Sequence, residues 1–420
     1  MNLGKTKILV VVESIDINAN SASKGRVALI QNLHKAGYDL KVYHYSRKTI
    51  SLEGISCVLI QEQKWNLVYL LSKFQVRFRM LTGININATI EKFFGFSLTF
   101  FNDCKSIKKA LEKEVSFEPD WVLTLSYASS FRSHKALLDL PKWHSKWLAY
   151  VHDPYPMHSY PRPYDWVEPG HQFKRNFFLK IVRSSQYLLY PSQLLSEWMQ
   201  SYYPGQKNEG IVVPHQISEQ AINKVEVQTV LSPSDFIILH AGNMMSARNP
   251  LALIQAFEQF LDQFPEAKSH AKLYFIGAPS CYDLPIKEKQ KIMPQLFLSD
   301  GYIPFKEVLA MQEQASVNVI LEALGPISPF LPGKFAHCIQ TQNSILLLGP
   351  FYSESKRLLG EDYKYWSPIN DTKLIQKHIT DLYQLWLKNN KQIIMRRDDL
   401  LYYLSSDYLK KTIDNLKNKE

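Results

Sequence analysis

The stretch Phe236–Phe260, FIILHAGNMMSARNPLALIQAFEQF, constrains this chain more than any other. Phe236–His240 is a continuous apolar run, the pattern of a parallel strand buried on both faces. Ala241–Asn249 is a loop of small and polar residues with Gly242 near its start. Pro250 suits the first turn of a helix, where its missing N–H would be an orphan anyway. Leu251, Ile254, Phe257, Phe260 and Leu261 then keep a helical period. A strand, a loop and a helix start together make a place for an anion, because free N–H groups and the helix dipole meet there. Arg248 lies in that loop, and a guanidinium matches a phosphate fork. A plain βα turn with a solvated arginine fits the same residues.

The same unit recurs along the chain. Lys7–Val12 is an apolar strand, and Val27–Lys35 reads as a helix with Leu29, Ile30 and Leu33 on one face. Gly37 stops the helix, and Leu40–Tyr45 is the next strand, so a right-handed parallel crossover is expected. The loop Glu13–Arg26 has no GxGxxG, so the dinucleotide fingerprint is absent. Ser21, Ser23, Lys24 and Arg26 can receive an anion at the helix start, or cap it and bind nothing. Trp121–Ser126, Trp147–Val151, Tyr187–Tyr190 and Ile211–Pro214 read as further strands, with helices at Phe173–Ser185 and Leu194–Met199. Ligands of open α/β sheets sit at the carboxyl ends of strands. His152, which follows Trp147–Val151, is therefore a site candidate or a cap on its strand. Tyr155–Gly170 is a long loop of the kind that carries function.

Ser218–Asp235 is polar and without strong period, and reads as a connection. The strand pattern resumes at Ile237–His240, Leu273–Ile276, Phe297–Ser299, Val317–Leu321 and Ser344–Leu348, with a helix at Phe305–Ala315. The two halves predict an α/β chain of two Rossmann-like, doubly wound parallel-sheet domains with a cleft between them. The expected boundaries are 1–215, 216–390, and a C-terminal helix over 391–420 that returns to the N-terminal domain.

A net charge of +10 favours a polyanionic neighbour: a nucleotide, a nucleic acid or an anionic membrane. No RRM, KH or helix-turn-helix signature accompanies it, so no nucleic-acid partner is expected. Lys64–Lys113 interleaves Lys and Arg with Trp and Phe, a mixture that suits an anionic membrane surface. A core helix pair with solvated basic faces has the same composition. The four cysteines, Cys57, Cys104, Cys281 and Cys338, form no CxxC or metal spacing, which fits free thiols in a reducing compartment. No signal-peptide pattern and no run of about 20 apolar residues is present. The expected setting is cytoplasmic, with peripheral attachment on the inner face of the membrane.

The order of the motifs resembles the GT-B glycosyltransferases, and among them the retaining nucleotide-sugar transferases called family 4. YVHDPYP, YLLYPSQLLSEWM, VVPH, HAGNMMSARNPLALIQAF, LYFIGA, FLSDGYIPFKEVLAMQEQASVNVIL and SPFLPGKFAHCIQTQNSILLLGP follow one another as they do there. The resemblance implies a glycosyltransferase that moves a sugar from a nucleotide-sugar donor to a glycan or lipid-linked acceptor, in bacterial surface polysaccharide biosynthesis. It implies metal independence and no cofactor, and the chain contains no Asp-x-Asp. It makes His152, Arg248 and Lys334 the catalytic group. Gly242, Asn243, Phe330, Leu331, Pro332, Gly333 and His337 would hold the donor, and Ser23, Lys24 and Arg26 lie on the acceptor side.

Three departures matter. Asn243 stands where the family has Arg, and Arg248 where it has Lys. The family's two Glu, eight positions apart, fall at Pro329 and His337. Glu322, after the strand Val317–Leu321, is a candidate substitute carboxylate, although a surface Glu at a strand end is the simpler and preferred account. The departures leave a second reading open: a non-catalytic GT-B-like protein that binds a nucleotide or a partner transferase.

Overall fold

The computed structural model describes residues 5–18, 21–218, 231–301 and 303–417, so most of the expected connection Ser218–Asp235 lies outside the described residues. The chain divides into two compact units. The first holds Met1–Tyr160, Tyr164–Gln216 and Ser405–Glu420; the second holds Pro161–Pro163 and Ile217–Leu404.

The first unit carries seven strands: β1 (Lys7–Val12), β2 (Asp39–His44), β3 (Ser56–Leu59), β4 (Trp121–Leu125), β5 (Trp147–Tyr150), β6 (Tyr187–Tyr190) and β7 (Ile211–Val212). They pair in the order β3-β2-β1-β4-β5-β6-β7, every pair parallel. The register sets Leu9 opposite Lys41 on one side and Val122 on the other. Alternation along β1 divides its side chains between two cores: Leu9 and Val11 enter one, Ile8, Val10 and Val12 the other. This double burial is why Ile8–Val12 is apolar at every position rather than at every second one.

Helices of the first unit are α1 (Ser21–Lys35), α2 (Leu67–Thr82), α3 (Asn87–Phe94), α4 (Leu98–Glu112), α5 (Arg132–Leu138), α6 (His171–Ser184) and α7 (Gln193–Tyr202). The helix expected at Val27 starts at Ser21 instead, because Arg26 shares the buried face of Ile30 and Leu33 and continues it backwards. Lys64–Lys113 becomes three helices, because Gly83 and Gly95 end α2 and α3 in left-handed conformations, φ 72° and 81°. The three differ in burial. α4 sends Phe100, Ile107 and Leu111 into the core, whereas α2 buries only Ser72 and Gln75 and α3 buries nothing.

The second unit carries β8 (Phe236–Ala241), β9 (Ala271–Ile276), β10 (Leu296–Leu298), β11 (Val317–Leu321), β12 (Ile327–Ser328), β13 (Ser344–Leu348), β14 (Tyr352–Ser353) and β15 (Trp366–Ser367). Its main sheet runs β10-β9-β8-β11-β13-β15, again parallel, and β12 pairs with β14 apart from it. The strands β3, β12, β14 and β15 fall outside the expected runs. They are short and only partly buried, so they lack the apolar run that marks a central strand. The helices are α8 (Leu251–Gln263), α9 (Asp283–Gln290), α10 (Phe305–Gln314), α11 (Gly333–Gln340), α12 (Glu354–Leu359), α13 (Thr372–Lys388) and α14 (Asp398–Tyr403). The segment 391–420, expected as one helix, breaks after α14. Ser405 restarts it by accepting from the Tyr408 N–H at 3.3 Å, and α15 (Ser406–Lys417) packs in the first unit. Leu409, Ile413 and Leu416 of α15 enter the core beside Val27 and Ile30, and Tyr38 donates to Asp414 at 2.7 Å. Among the described residues, no helix is long and apolar enough to cross a membrane.

Candidate functional site

In the second sheet, β8 and β11 are neighbours whose crossovers leave in opposite directions, so the loops after them diverge and open a crevice. The loop after β8 holds Gly242 to Asn249, and Glu322 follows β11 directly. α11 starts nearby, with Pro332 at its cap position and Lys334 in its first turn. Lys334 Nζ lies 3.4 Å from His240 Nε2 at the end of β8. Gly242 makes that approach possible. Its φ is 153°, and a Cβ there would stand 2.5 Å from Lys334 Nζ and 2.9 Å from Cε. The β8 loop is tied down on both sides, by Gly242 N–H to Ile276 O at 2.7 Å and Leu324 N–H to Ala247 O at 2.9 Å.

Three of these groups are strongly perturbed. Burial pushes the Lys334 ammonium down to about 7, and the Arg248 charge adds to the shift. Burial holds the His240 imidazole well below its ordinary value, with the Lys334 charge next in weight. Glu322 corrects the sequence reading of it as a surface carboxylate: it is 2% exposed, and burial raises its pKa to about 7. Ser355 donates to its Oε1 at 2.7 Å, while Oε2 has no hydrogen-bond partner among the described residues. Gly349 leaves it room, since a Cβ there would come within 2.8 Å of Glu322 Oε2. The Nε of Arg248 is likewise buried and without a hydrogen-bond partner. Arg248 Nε and Glu322 Oε2 thus keep unused hydrogen-bonding capacity within the field of the Lys334 charge, an arrangement that a diphosphate with an attached polyol would satisfy.

The remaining residues named on the donor side sort clearly. Asn243 is exposed, and its Oδ1 accepts from the Ala278 N–H at 3.2 Å, so its side chain links two loops. Leu331 is buried in the core with Phe335, whereas Phe330 and Pro332 are half-buried and Gly333 is exposed. His337 sits one turn along α11, its ring 5.2 Å from that of Phe305. His240 and Ser355 escaped the sequence reading. A histidine ending an otherwise apolar strand was the available signal for the first, and nothing local marked the second.

His152 belongs to the first unit, at the corresponding end of its sheet between β4 and β5. Its backbone N–H donates to Ser126 Oγ at 3.0 Å, and its Nδ1 is also 3.0 Å from that oxygen. Its ring is 6.2 Å from that of His215, and burial holds its pKa well below the ordinary value. Arg26 is fully buried, donates to Ser126 O at 3.3 Å and Ser23 Oγ at 3.1 Å, and lies 4.3 Å from the Tyr127 ring centre. Burial lowers its pKa to about 10, opposed by Glu13. Ser23 is buried with it, so of the three residues named on the acceptor side only Lys24 keeps a partly open side chain. Among the described residues, no group of three or more His, Cys, Asp and Glu side chains could hold a metal ion.

No protein-family model matches the chain, and no curated protein matches its sequence. Solved structures match its fold over nearly its whole length. Sucrose-phosphate synthase from Thermosynechococcus elongatus aligns with TM-score 0.64 and 10% identity, covering 99% of each chain. The UDP-forming alpha,alpha-trehalose-phosphate synthase from Burkholderia xenovorans, solved with glucose-6-phosphate, gives 0.65 and 11%, covering 98% of this chain and 99% of its own. The E. coli trehalose-6-phosphate protein bound with UDP-2-fluoro glucose gives 0.57 and 12%, covering 98% of each. At such identities the likeness is one of fold: this chain has the GT-B architecture of two Rossmann-like parallel-sheet domains.

Proposed function

We infer that the chain is a glycosyltransferase that takes a sugar from a nucleotide-sugar and passes it to a glycan or lipid-linked acceptor. The observation that carries this is the convergence of Lys334 and Arg248 beside Gly242, at the point where the second sheet's crossovers diverge. The fold shared with UDP-forming synthases supports it. In this reading Arg248, Lys334 and the first N–H groups of α11 take the donor diphosphate. Gly242 and the Phe330–Gly333 turn let it approach closely. As the glycosidic bond breaks, negative charge grows on the departing diphosphate, and fixed cations in a water-poor site stabilise it without reorganising. His152 lies beside the donor sugar, His337 reaches the ribose, and Ser23, Lys24 and Arg26 shape the acceptor side. Transfer proceeds with retention and without a metal, in bacterial surface polysaccharide synthesis on the cytoplasmic side, with the protein attached peripherally to the membrane.

A second reading is non-catalytic binding of the same nucleotide or of a partner transferase, favoured by Pro329 and His337 in place of the family's acids. One experiment separates the two. Thermal-shift screening against UDP-, GDP-, ADP- and CMP-sugars finds the donor, because a ligand of the native state raises Tm with occupancy. Release of free nucleotide from that donor then establishes transfer or hydrolysis. A stabilising nucleotide-sugar that is never consumed selects the second reading in its nucleotide-binding form. No shift with any of the four removes sugar transfer from these donors and leaves binding of a partner transferase.

A further inference from the structure

Helix α2 is turned inside out relative to a soluble helix. Its only buried side chains are Ser72 and Gln75, and both are polar. Ser72 donates to Tyr69 O, Gln75 bonds Asn87, and the capping residue Asn66 donates to Asn102 on α4 at 3.1 Å. Gln75 and the capping Asn66 therefore fasten it to α3 and α4, while Ser72 bonds within the helix. Leu67, Leu70, Leu71, Phe74, Phe78 and Leu81 recur at three- and four-residue spacing and form one stripe, exposed except for the half-buried Phe78, and Val76 and Met80 are exposed beside it. Phe74 is 66% exposed and Leu81 80%, where most large apolar residues of the chain are covered. Trp65, Phe93 and Phe94 extend the exposed surface beyond the helix ends. A patch of this size costs free energy in water and implies a less polar neighbour.

Charge selects that neighbour. Lys73 and Arg77, one turn apart, border the stripe on one side, and Arg79 and Lys92 are also exposed. Between Lys64 and Lys92 the one acid in the sequence is Glu91, which is held by Lys174 at 2.9 Å, and Glu62 just before this stretch pairs with Lys73 at 3.2 Å. A protein partner would have to cover the apolar stripe with matching shape and acids. A bilayer with anionic headgroups meets both demands, with acyl chains below and phosphates at the rim. We propose that α2 is an in-plane anchor that lays its Leu67–Leu81 stripe into an anionic lipid surface, with Lys73 and Arg77 at headgroup level. This goes beyond a peripheral setting by assigning the element and its orientation. It stands on exposure and charge alone, so it survives or fails independently of sugar transfer.

The test is co-sedimentation of the full chain with vesicles of phosphatidylcholine, alone or with 30% phosphatidylglycerol. The parent chain binds the anionic vesicles, and less so as salt rises. Lys73→Gln with Arg77→Gln weakens that binding about 30-fold, from roughly 1 kcal/mol for each cation near the surface. Leu71→Gln with Phe74→Gln weakens it at least tenfold, with the circular dichroism and Tm of the parent, because both positions are outside the core. Equal binding by parent and both variants overturns the proposal, as does equal partition into neutral and anionic vesicles. A dimer by light scattering that dissociates in Leu71→Gln/Phe74→Gln, without vesicle binding by the parent, also overturns it and makes the stripe an interface between copies.

Discussion

Lys334 Nζ and His240 Nε2 face each other at 3.4 Å across the end of the second sheet, although 94 positions separate them in sequence. His240 Nδ1 lies 3.3 Å from Val319 O, an acceptor, so this ring nitrogen carries the proton. Nε2 is then left to accept from the Lys334 ammonium. The imidazole is therefore neutral and works as a dipole that aims the lysine, while Arg248 nearby opposes the lysine's charge. An anion placed between the two cations removes that opposition and restores the lysine's protonation.

If the pair holds a diphosphate, Lys334→Ala and Arg248→Ala each lower turnover of the responsive donor by about 10²–10³-fold, from about 2–4 kcal/mol of lost transition-state stabilisation. Arg248→Lys recovers only part, because an ammonium is a point charge without the fork. Steady-state kinetics check this, and near-parental turnover in both alanine variants rejects the assigned site.

Gly242→Ala should abolish the nucleotide-induced Tm shift while the unliganded protein still folds. The added Cβ would stand 2.5 Å from Lys334 Nζ, and a φ of 153° is open to glycine but strained for alanine. The lysine is at the end of a flexible chain and can move away, so the damage falls on binding, with about 1–3 kcal/mol of strain in stability. An unchanged nucleotide shift in this variant counts against the geometry.

The pH dependence of stability has a defined shape. Glu322 rises from 4.5 to about 7 on folding, so between those values the folded state binds the extra proton, and stability falls as pH rises. Lys334 falls from 10.5 to about 7, so above pH 7 the unfolded state binds more protons, and stability rises with pH. The unliganded protein should therefore show a shallow Tm minimum near neutrality from this pair. Glu322→Gln removes the acid-side slope and Lys334→Met the alkaline one. Tm measured across pH 5–10 checks both, and slopes unchanged in the variants would show that other groups control the profile.

Helix α15 closes the core of the first unit, with Leu409 1% and Ile413 3% exposed. Leu409→Ala or Ile413→Ala should each cost about 2–5 kcal/mol, since each leaves a cavity against α1. Urea unfolding that reports a loss below 0.5 kcal/mol would mean that the helix is not part of the folded unit.

Local chemistry in the sequence determined the repeating strand–helix units. KILVVV, WVLTL and SILLL are apolar at all but one position each because parallel strands are covered on both faces, and a nearly unbroken pattern is legible without partners. Pro250 and the periodic residues after it likewise marked the start of α8 within one residue. What escaped was set by distant contacts. The short strands β3 and β15 exist only because a neighbour offers an edge. Glu322 looked like a surface acid, because burial depends on Ser355 and Gly349 closing over it, and neither is near it in sequence. The composition of Lys64–Lys113 suited membrane and core equally. Tertiary packing alone divided it, sending α4 into the core and turning the apolar face of α2 outward. Periodicity fixes which residues share a face of a helix, but the direction that face points is decided by what the rest of the chain leaves uncovered.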